Sequence, residues 1–264
     1  MFLIGADPEV FLVKNGKFVS AETREGTLLP GTKAKPFKTS KGAVQVDGVA
    51  AEFNIDPAKN TDEFYDNIKT TLKDLNGIIR KVDPEVRLTA VPTAKFDPDY
   101  FKSLPEKTLE LGCEPDFDAY TEKPNPRPST DRPWRTGAGH IHFGWTKDAD
   151  PFSTGHMMDC VLLTKMCDKY LYTASLDWDT DNDRRQLYGK VGSFRPKPYG
   201  MEYRVLSNAW LKNAEVVRNV HRIANAIIKG LDSGGLNVDP GELANIAGNY
   251  TDNVVSKLGK WMEW

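Results

Sequence analysis

Paired cysteines are missing from this chain, and so is any surplus of charge. The three cysteines, Cys113, Cys160 and Cys167, form an odd set without Cys-x-x-Cys spacing. That argues against a disulfide framework and a structural zinc site, and it suits a reducing, cytoplasmic setting. A formal net charge of −2 over 264 residues leaves no electrostatic footprint for nucleic acid. No apolar run approaches the roughly 20 residues that span a bilayer, and no signal-peptide pattern opens the chain, so no membrane partner is expected. No internal repeat occurs, and no Gly-x-x-x-x-Gly-Lys-Ser/Thr sequence either. Any nucleotide would therefore be held by something other than that phosphate-binding loop.

What is present is ordinary globular material, 39% hydrophobic and 27% charged. It reads as a single domain over residues 1–264 with a helical C-terminal segment from about 213. A strand over residues 1–13 runs into Asn15-Gly16, a two-residue hairpin signal. Residues 24–42 read as a loop, and AVQVDGVAAEFNI at 43–55 as a second strand. Asn60 with Glu63 three positions on predicts a helix start, and Phe64, Ile68, Leu72, Leu75 and Ile79 carry it to about residue 81. VRLTAVP at 86–92 and GAGHIHFGW at 137–145 read as strands, with a proline-rich stretch at 122–134 between them. A helix over 155–176 is expected to bury Met158, Leu162, Met166 and Leu171. The stretch from Ser175 to Gly192 reads as a polar loop. A further helix carries Val216, Val220, Ile223 and Ile227 to Gly230, and another is expected from about 241, ending in Trp261 and Trp264. Strands separated by hairpins and long loops favour an α+β fold, an antiparallel sheet with helices on one side.

Polar residues interrupt these apolar strands in four places. Asp7 and Glu9 stand two apart in GADPEVFL, and on one strand they would share a face. A wet edge strand would tolerate that pair, and so would a divalent cation. Asp47 and Glu52 interrupt QVDGVAAEFN, His140 and His142 alternate in GAGHIHFGW, and Glu202 and Arg204 alternate in YGMEYRVLS. Each pair alone is compatible with a solvated face or an ordinary ion pair, but one shared basin accounts for all four. Oxygen donors with an occasional imidazole suit Mg²⁺ or Mn²⁺. A glycine-containing loop with Arg184, Arg185, Lys190, Arg195 and Lys197 suits the oxygens of a nucleoside triphosphate, or is a solvated cationic loop. His156 and Cys160 are one helical turn apart, and two ligands do not make a metal site.

Taken in order, GADPEVFL, QVDGVAAEFN, ELGCEPDFDAYT with NPRP, GAGHIHFGW and GSFRPKPYGMEYRVLSN resemble the phage-associated carboxylate–amine ligases, the type 2 amidoligases. That family is grouped with glutamine synthetase and glutamate–cysteine ligase. The resemblance runs from residue 5 to 208. It implies a curved, mainly antiparallel sheet forming a catalytic basin, helices on its outer face, and ATP with Mg²⁺ (or Mn²⁺) as cofactors. By resemblance Asp7, Glu9, Asp47, Glu52, His140 and Glu202 are metal ligands, and His142 contacts substrate. Arg204 and Arg195, with Arg184 or Arg185 and Lys190, hold phosphate, and Arg195, Arg204 and Glu52 are the catalytic groups. The expected activity is ATP-dependent amide formation through an acyl phosphate, from small-molecule or peptide carboxylates and amines, in the cytoplasm (the host's, for a phage-encoded chain). The first acidic pair departs from the family relatives, since it is Asp-x-Glu where the synthetases carry Glu-x-Glu. The chain is also much shorter than either synthetase. Alternatives are a guanidino kinase on the same sheet, a non-catalytic nucleotide-binding member, and a nuclease. Oligomeric state is not legible.

Overall fold

A computed structural model describes residues 2–109, 116–126 and 132–232. Cys113, part of NPRP and the helix expected from about 241 lie outside them. In chain order the strands of the two main sheets are β1 (Leu3–Ala6), β2 (Glu9–Lys14), β3 (Lys17–Val19), β4 (Phe37–Thr39), β5 (Gly42–Asp47) and β6 (Ala50–Ile55). They continue with β7 (Arg87–Thr89), β8 (Phe117–Asp118), β9 (Lys123–Pro124), β10 (Ile141–Gly144), β11 (Ser193–Lys197) and β12 (Gly200–Tyr203). The first sheet runs β1-β10-β12-β11-β8-β9, and the second β3-β2-β6-β5-β4 with β7 also on β2. Every pairing in both is antiparallel. The fold is α+β, as expected, but with two sheets where one was anticipated.

The division falls at Asp7-Pro8. Proline has no N–H for a ladder and disfavours continuing a central strand. The stretch expected as one strand over 1–13 therefore ends at Ala6 in the first sheet and restarts at Glu9 in the second. Asp7 and Glu9 do not share a strand face; they flank the crossover. The second stretch, 43–55, is likewise a hairpin, turning at Gly48 with a φ of 57°. Only glycine adopts that conformation without cost. The Asn15-Gly16 turn forms as expected, with φ of 51° and 76° joining β2 to β3.

Three helices back the sheets. In α1 (Thr61–Val82) the Asn60 side chain accepts the Glu63 N–H at 3.0 Å, while Glu63 accepts the Lys59 N–H at 2.8 Å. Such caps contribute about 1 kcal/mol. Its buried stripe of Phe64, Ile68, Thr71, Leu75 and Ile79 packs on the second sheet. α2 (Thr154–Cys167) packs behind β11 and β12 and runs on through a π-helical turn at Asp168–Tyr172 to Ser175. Only part of its expected apolar face is inside. Met166 and Leu171 are buried, whereas Met158 and Leu162 face solvent at 66% and 41% exposure. Helical periodicity does not say which side meets the sheet: His156, Cys160, Leu163 and Cys167 turn inward, and Met158 and Leu162 lie on the opposite side of the helix. The stretch 175–192, expected as loop, contains a short helix, Asn182–Leu187. α3 (Ala214–Asp232) packs against both α1 and α2. Among the described residues no helix is long and apolar enough to cross a membrane.

His221 of α3 joins two of these helices. Its Nδ1 lies 2.9 Å from Thr61 Oγ1, and its ring lies 5.1 Å from that of Phe64. Burial, and then the charge of Lys229, push its imidazole down to about 4. The unfolded chain takes up this proton near the ordinary histidine range, the folded chain only near pH 4. The contribution is therefore whole above about pH 6.5 and is lost as pH falls from there towards 4. Urea unfolding at pH 7.5 and 4.5 should show His221→Gln losing about 2 kcal/mol less than wild type over that interval. The same loss in both proteins would contradict the assignment.

Candidate active site

The two sheets present facing rows of polar side chains. In the first sheet Gly5 pairs with His142, His142 with Glu202, and Glu202 with Arg195. In the second, Glu9 pairs with Glu52 and Glu52 with Gln45. Residues opposed across antiparallel strands share a face, so each row is continuous. Between the rows lies a cavity of about 280 Å³ whose lining includes Asp7, Glu9, Asp47, Glu52, His140, His142, Arg195, Glu202 and Arg204. Every residue expected as a metal ligand, from four stretches of sequence, reaches it.

At one end, His140 Nδ1 lies 3.1 Å from Glu202 Oε1 and 3.3 Å from Asp7 Oδ1. His142 Nε2 lies 3.1 Å from Asp7 Oδ1, and its Nδ1 lies 2.5 Å from the Tyr199 hydroxyl. Arg204 donates to Glu202, to Asp116 Oδ2 at 3.0 Å and to the Tyr188 hydroxyl. Arg195 donates to Glu202 Oε2 at 3.2 Å, and Lys197 Nζ stands 3.6 Å from the same oxygen. At the other end, Glu9 accepts the Ala138 N–H at 2.9 Å, Gln45 donates to Glu52 at 3.0 Å, and Lys33 Nζ pairs with Asp47 at 2.8 Å.

The electrostatics divide the carboxylates into two kinds. Burial works to raise the Asp7 carboxyl, but the His142 and His140 rings outweigh it and hold Asp7 well below the usual carboxylate range. Burial and the Asp7 charge work to raise Glu202, and hydrogen bonding and charge from His140 turn the balance downward. For Glu9 the balance falls the other way: burial and then Asp47 push it up to about 7, against the Ala138 N–H and the charges of His140 and Lys33. Glu52 is raised well above its ordinary range by burial and by the charges of Asp7, Asp47 and Glu9. Burial works to lower the His142 imidazole, but the charge and hydrogen bonding of Asp7, with the charge of Glu202, raise it.

These residues fit a divalent cation. Asp7, His142 and Glu202 each offer a ligand atom, all within 4.8 Å of one another. His140 Nε2 is buried without a hydrogen-bond partner. At Glu9 and Glu52 burial and neighbouring carboxylates outweigh the positive charge within reach. Oxygen donors with imidazole, and no thiolate, are the chemistry of Mg²⁺ or Mn²⁺.

Three expected phosphate contacts do not reach the cavity. Arg184 is 1% exposed and donates to the Val205 and Leu206 carbonyl oxygens at 2.8 Å each. Gly189, with a φ of 69°, passes so close that a Cβ there would stand 2.6 Å from the Arg184 guanidinium. Arg184 therefore braces the segment following β12. Arg185 is engaged with the Asp179 and Asp181 carbonyl oxygens, and Lys190 is solvent-exposed. A basic loop supplies charge without saying which guanidiniums turn inward to bind backbone. His156 and Cys160, set aside as a zinc pair, lie behind the sheet near the Gly200 carbonyl. Conversely, Lys33, Gln45, Arg135 and Tyr188 line the cavity unforeseen. Gln45 carried a signal, being two positions from Asp47 on one strand. Lys33 did not, because its loop has no period to read.

Arg184→Ala should cost about 3 kcal/mol in urea unfolding, since it leaves two buried carbonyls without donors. Arg185→Ala should cost under about 1 kcal/mol. Equal costs would contradict the division of roles.

Comparison with known proteins adds one match. A search of curated proteins finds none, whereas residues 132–237 match the family model described as phage phiEco32-like COOH.NH2 ligase-type 2. The matched segment contains His140, His142, Arg195, Glu202 and Arg204, and the acids of β2, β5 and β6 lie outside it. Over residues 132–237, then, this chain is similar to the phage phiEco32-like COOH.NH2 ligase-type 2 family.

Proposed function

We propose that the chain is an ATP- and Mg²⁺-dependent carboxylate–amine ligase working through an acyl phosphate. The observation that carries this reading is the meeting, in one cavity, of buried carboxylates with Arg195, Lys197 and Arg204. Phosphoryl transfer needs that combination: donors for a divalent cation beside guanidinium and ammonium groups for phosphate oxygens. The family match supports the carboxylate–amine class independently of this geometry.

In this reading Asp7, Glu202 and His142 bind the cation at one end, with His140 beside them, and Glu9, Glu52 and Asp47 serve the other. Magnesium, when bound, supplies charge neutralisation for the phosphates. Arg195 and Lys197 exchange Glu202 for the oxygens of the transferring phosphoryl group. Arg204, held by Asp116 and Tyr188, keeps its guanidinium in place through the exchange. The substrate carboxylate attacks the γ-phosphorus, and the bond to the β,γ-bridging oxygen breaks to release ADP. An amine then attacks the acyl carbon, phosphate leaves, and the amine proton passes to a base. A cavity carboxylate not engaged by the cation takes that proton. Phosphate is the leaving group that a free carboxylate lacks.

The test is ADP release with a panel of carboxylates and amines. Glu202→Gln and Asp7→Asn should each lower turnover by about 100-fold or more while the fold is kept. Both should weaken Mn²⁺ binding measured calorimetrically. Turnover within a few-fold of wild type in both variants would defeat the reading.

A further inference from the structure

A second chamber of about 460 Å³ adjoins the first, sharing Asp7, Glu52 and His142 with it. Its character is different. Leu3, Ile55, Pro57, Trp145 and Tyr199 form its walls, and among the described residues no lysine or arginine lines it. The phosphate-binding cations Arg195, Lys197 and Arg204 all stand in the first cavity.

The chamber exists because two glycines clear its floor. Gly144 follows His142 by two positions on β10, and Gly5 precedes Asp7 by two on the neighbouring strand. Alternation would turn a side chain at either position towards the site. A Cβ at Gly5 would stand 3.6 Å from His142 Cβ, and one at Gly144 would stand 3.7 Å from Leu3 Cβ. These are ordinary contacts, and neither glycine has a positive φ. Neither the backbone nor crowding requires glycine at these two positions, so the space beside the metal-binding row is what their absent side chains provide. Trp145 is fixed as the far wall. Its ring stacks on His156 at 5.4 Å, and His156 Nε2 is 2.9 Å from the Gly200 carbonyl oxygen.

We propose that this chamber holds the uncharged, apolar body of the carboxylate substrate, with its reacting carboxylate at the mouth beside His142 and Asp7. This rests on the ligase reading. The substrate class it names is a monocarboxylate bearing an aromatic or branched apolar group. A second carboxylate or a phosphate would find no lysine or arginine there among the described residues, and burying such a charge unpaired is strongly disfavoured. A flat ring would stack between Trp145 and Tyr199.

Binding decides it without turnover. Calorimetry would follow 3-indolepropionate and glutarate in the presence of Mg²⁺ and β,γ-methylene-ATP, and that nucleotide by itself. Wild type should bind 3-indolepropionate at least tenfold more tightly than glutarate. Gly144→Leu, which fills the floor, should weaken 3-indolepropionate tenfold or more and leave the nucleotide within twofold. Gly144→Ala and Gly5→Ala should show the same preference to a smaller degree, and they decide the matter if the leucine variant does not fold. Three results would overturn the proposal: no 3-indolepropionate binding, glutarate binding as tightly, or an equal loss of nucleotide affinity. The last would place the nucleotide base in the chamber. An acid that binds there but supports no ADP release with any amine would defeat the ligase reading and leave the chamber assigned. Release with dicarboxylates alone would do the reverse.

Discussion

Mutual repulsion among carboxylates out of reach of water is the constraint on which this structure turns. Asp7, Glu9, Glu52 and Glu202 line one cavity, and each such charge is costly unless paired. Asp7 and Glu202 are balanced by the two histidines, with Arg195, Lys197 and Arg204 also around Glu202. Glu9 and Glu52 are not balanced and drift towards protonation. A fold selected for stability alone would fill this space with apolar side chains. Charge held at such expense makes sense where a cation comes and goes.

The crossover at Asp7-Pro8 makes that concentration possible. An uninterrupted strand would have put Asp7 and Glu9 in one row, on one sheet. The break sends Asp7 to the row containing His142 and Glu202 and Glu9 to the row containing Glu52, so adjacent stretches of chain supply opposite walls. Glu9, Asp47, Glu52, His142, Arg195 and Glu202 stand on strands backed by α1 and α2, and Asp7, His140 and Arg204 lie one residue beyond a strand end, so core packing holds the candidate site at fixed distances. The bases of those walls are the same buried residues that stabilise the fold: Ile141 and Phe143 alternate with His142, and Met201 and Tyr203 flank Glu202.

Much of this was legible in the sequence because period and polarity conflict there. Acids and histidines inside apolar strands marked nearly every wall of the cavity, and the antiparallel α+β class followed from hairpins separated by long loops. The α1 start at Asn60 and the Asn15-Gly16 turn were local signals with local causes. What could not be read was set by tertiary geometry. Asp7-Pro8 looked like an edge strand with a turn, because nothing local says that the second half joins another sheet. Arg184 looked like Arg195 in composition, but one turns to the Val205 and Leu206 carbonyls and the other to Glu202. Met158 and Leu162 looked buried because periodicity does not report which side of α2 turns to the sheet. The chamber floor was written in Gly5 and Gly144, but a missing side chain acquires meaning only once the strands are placed side by side.

The central claim is that the two facing rows close around divalent cations. Anomalous diffraction from crystals soaked in Mn²⁺ with β,γ-methylene-ATP addresses it directly. The account requires manganese between the rows, bonded to Asp7, Glu202 or His142 and to Glu9 or Glu52. Manganese confined to surface carboxylates, with the cavity's acids still paired to Lys33 and Arg195, would contradict it.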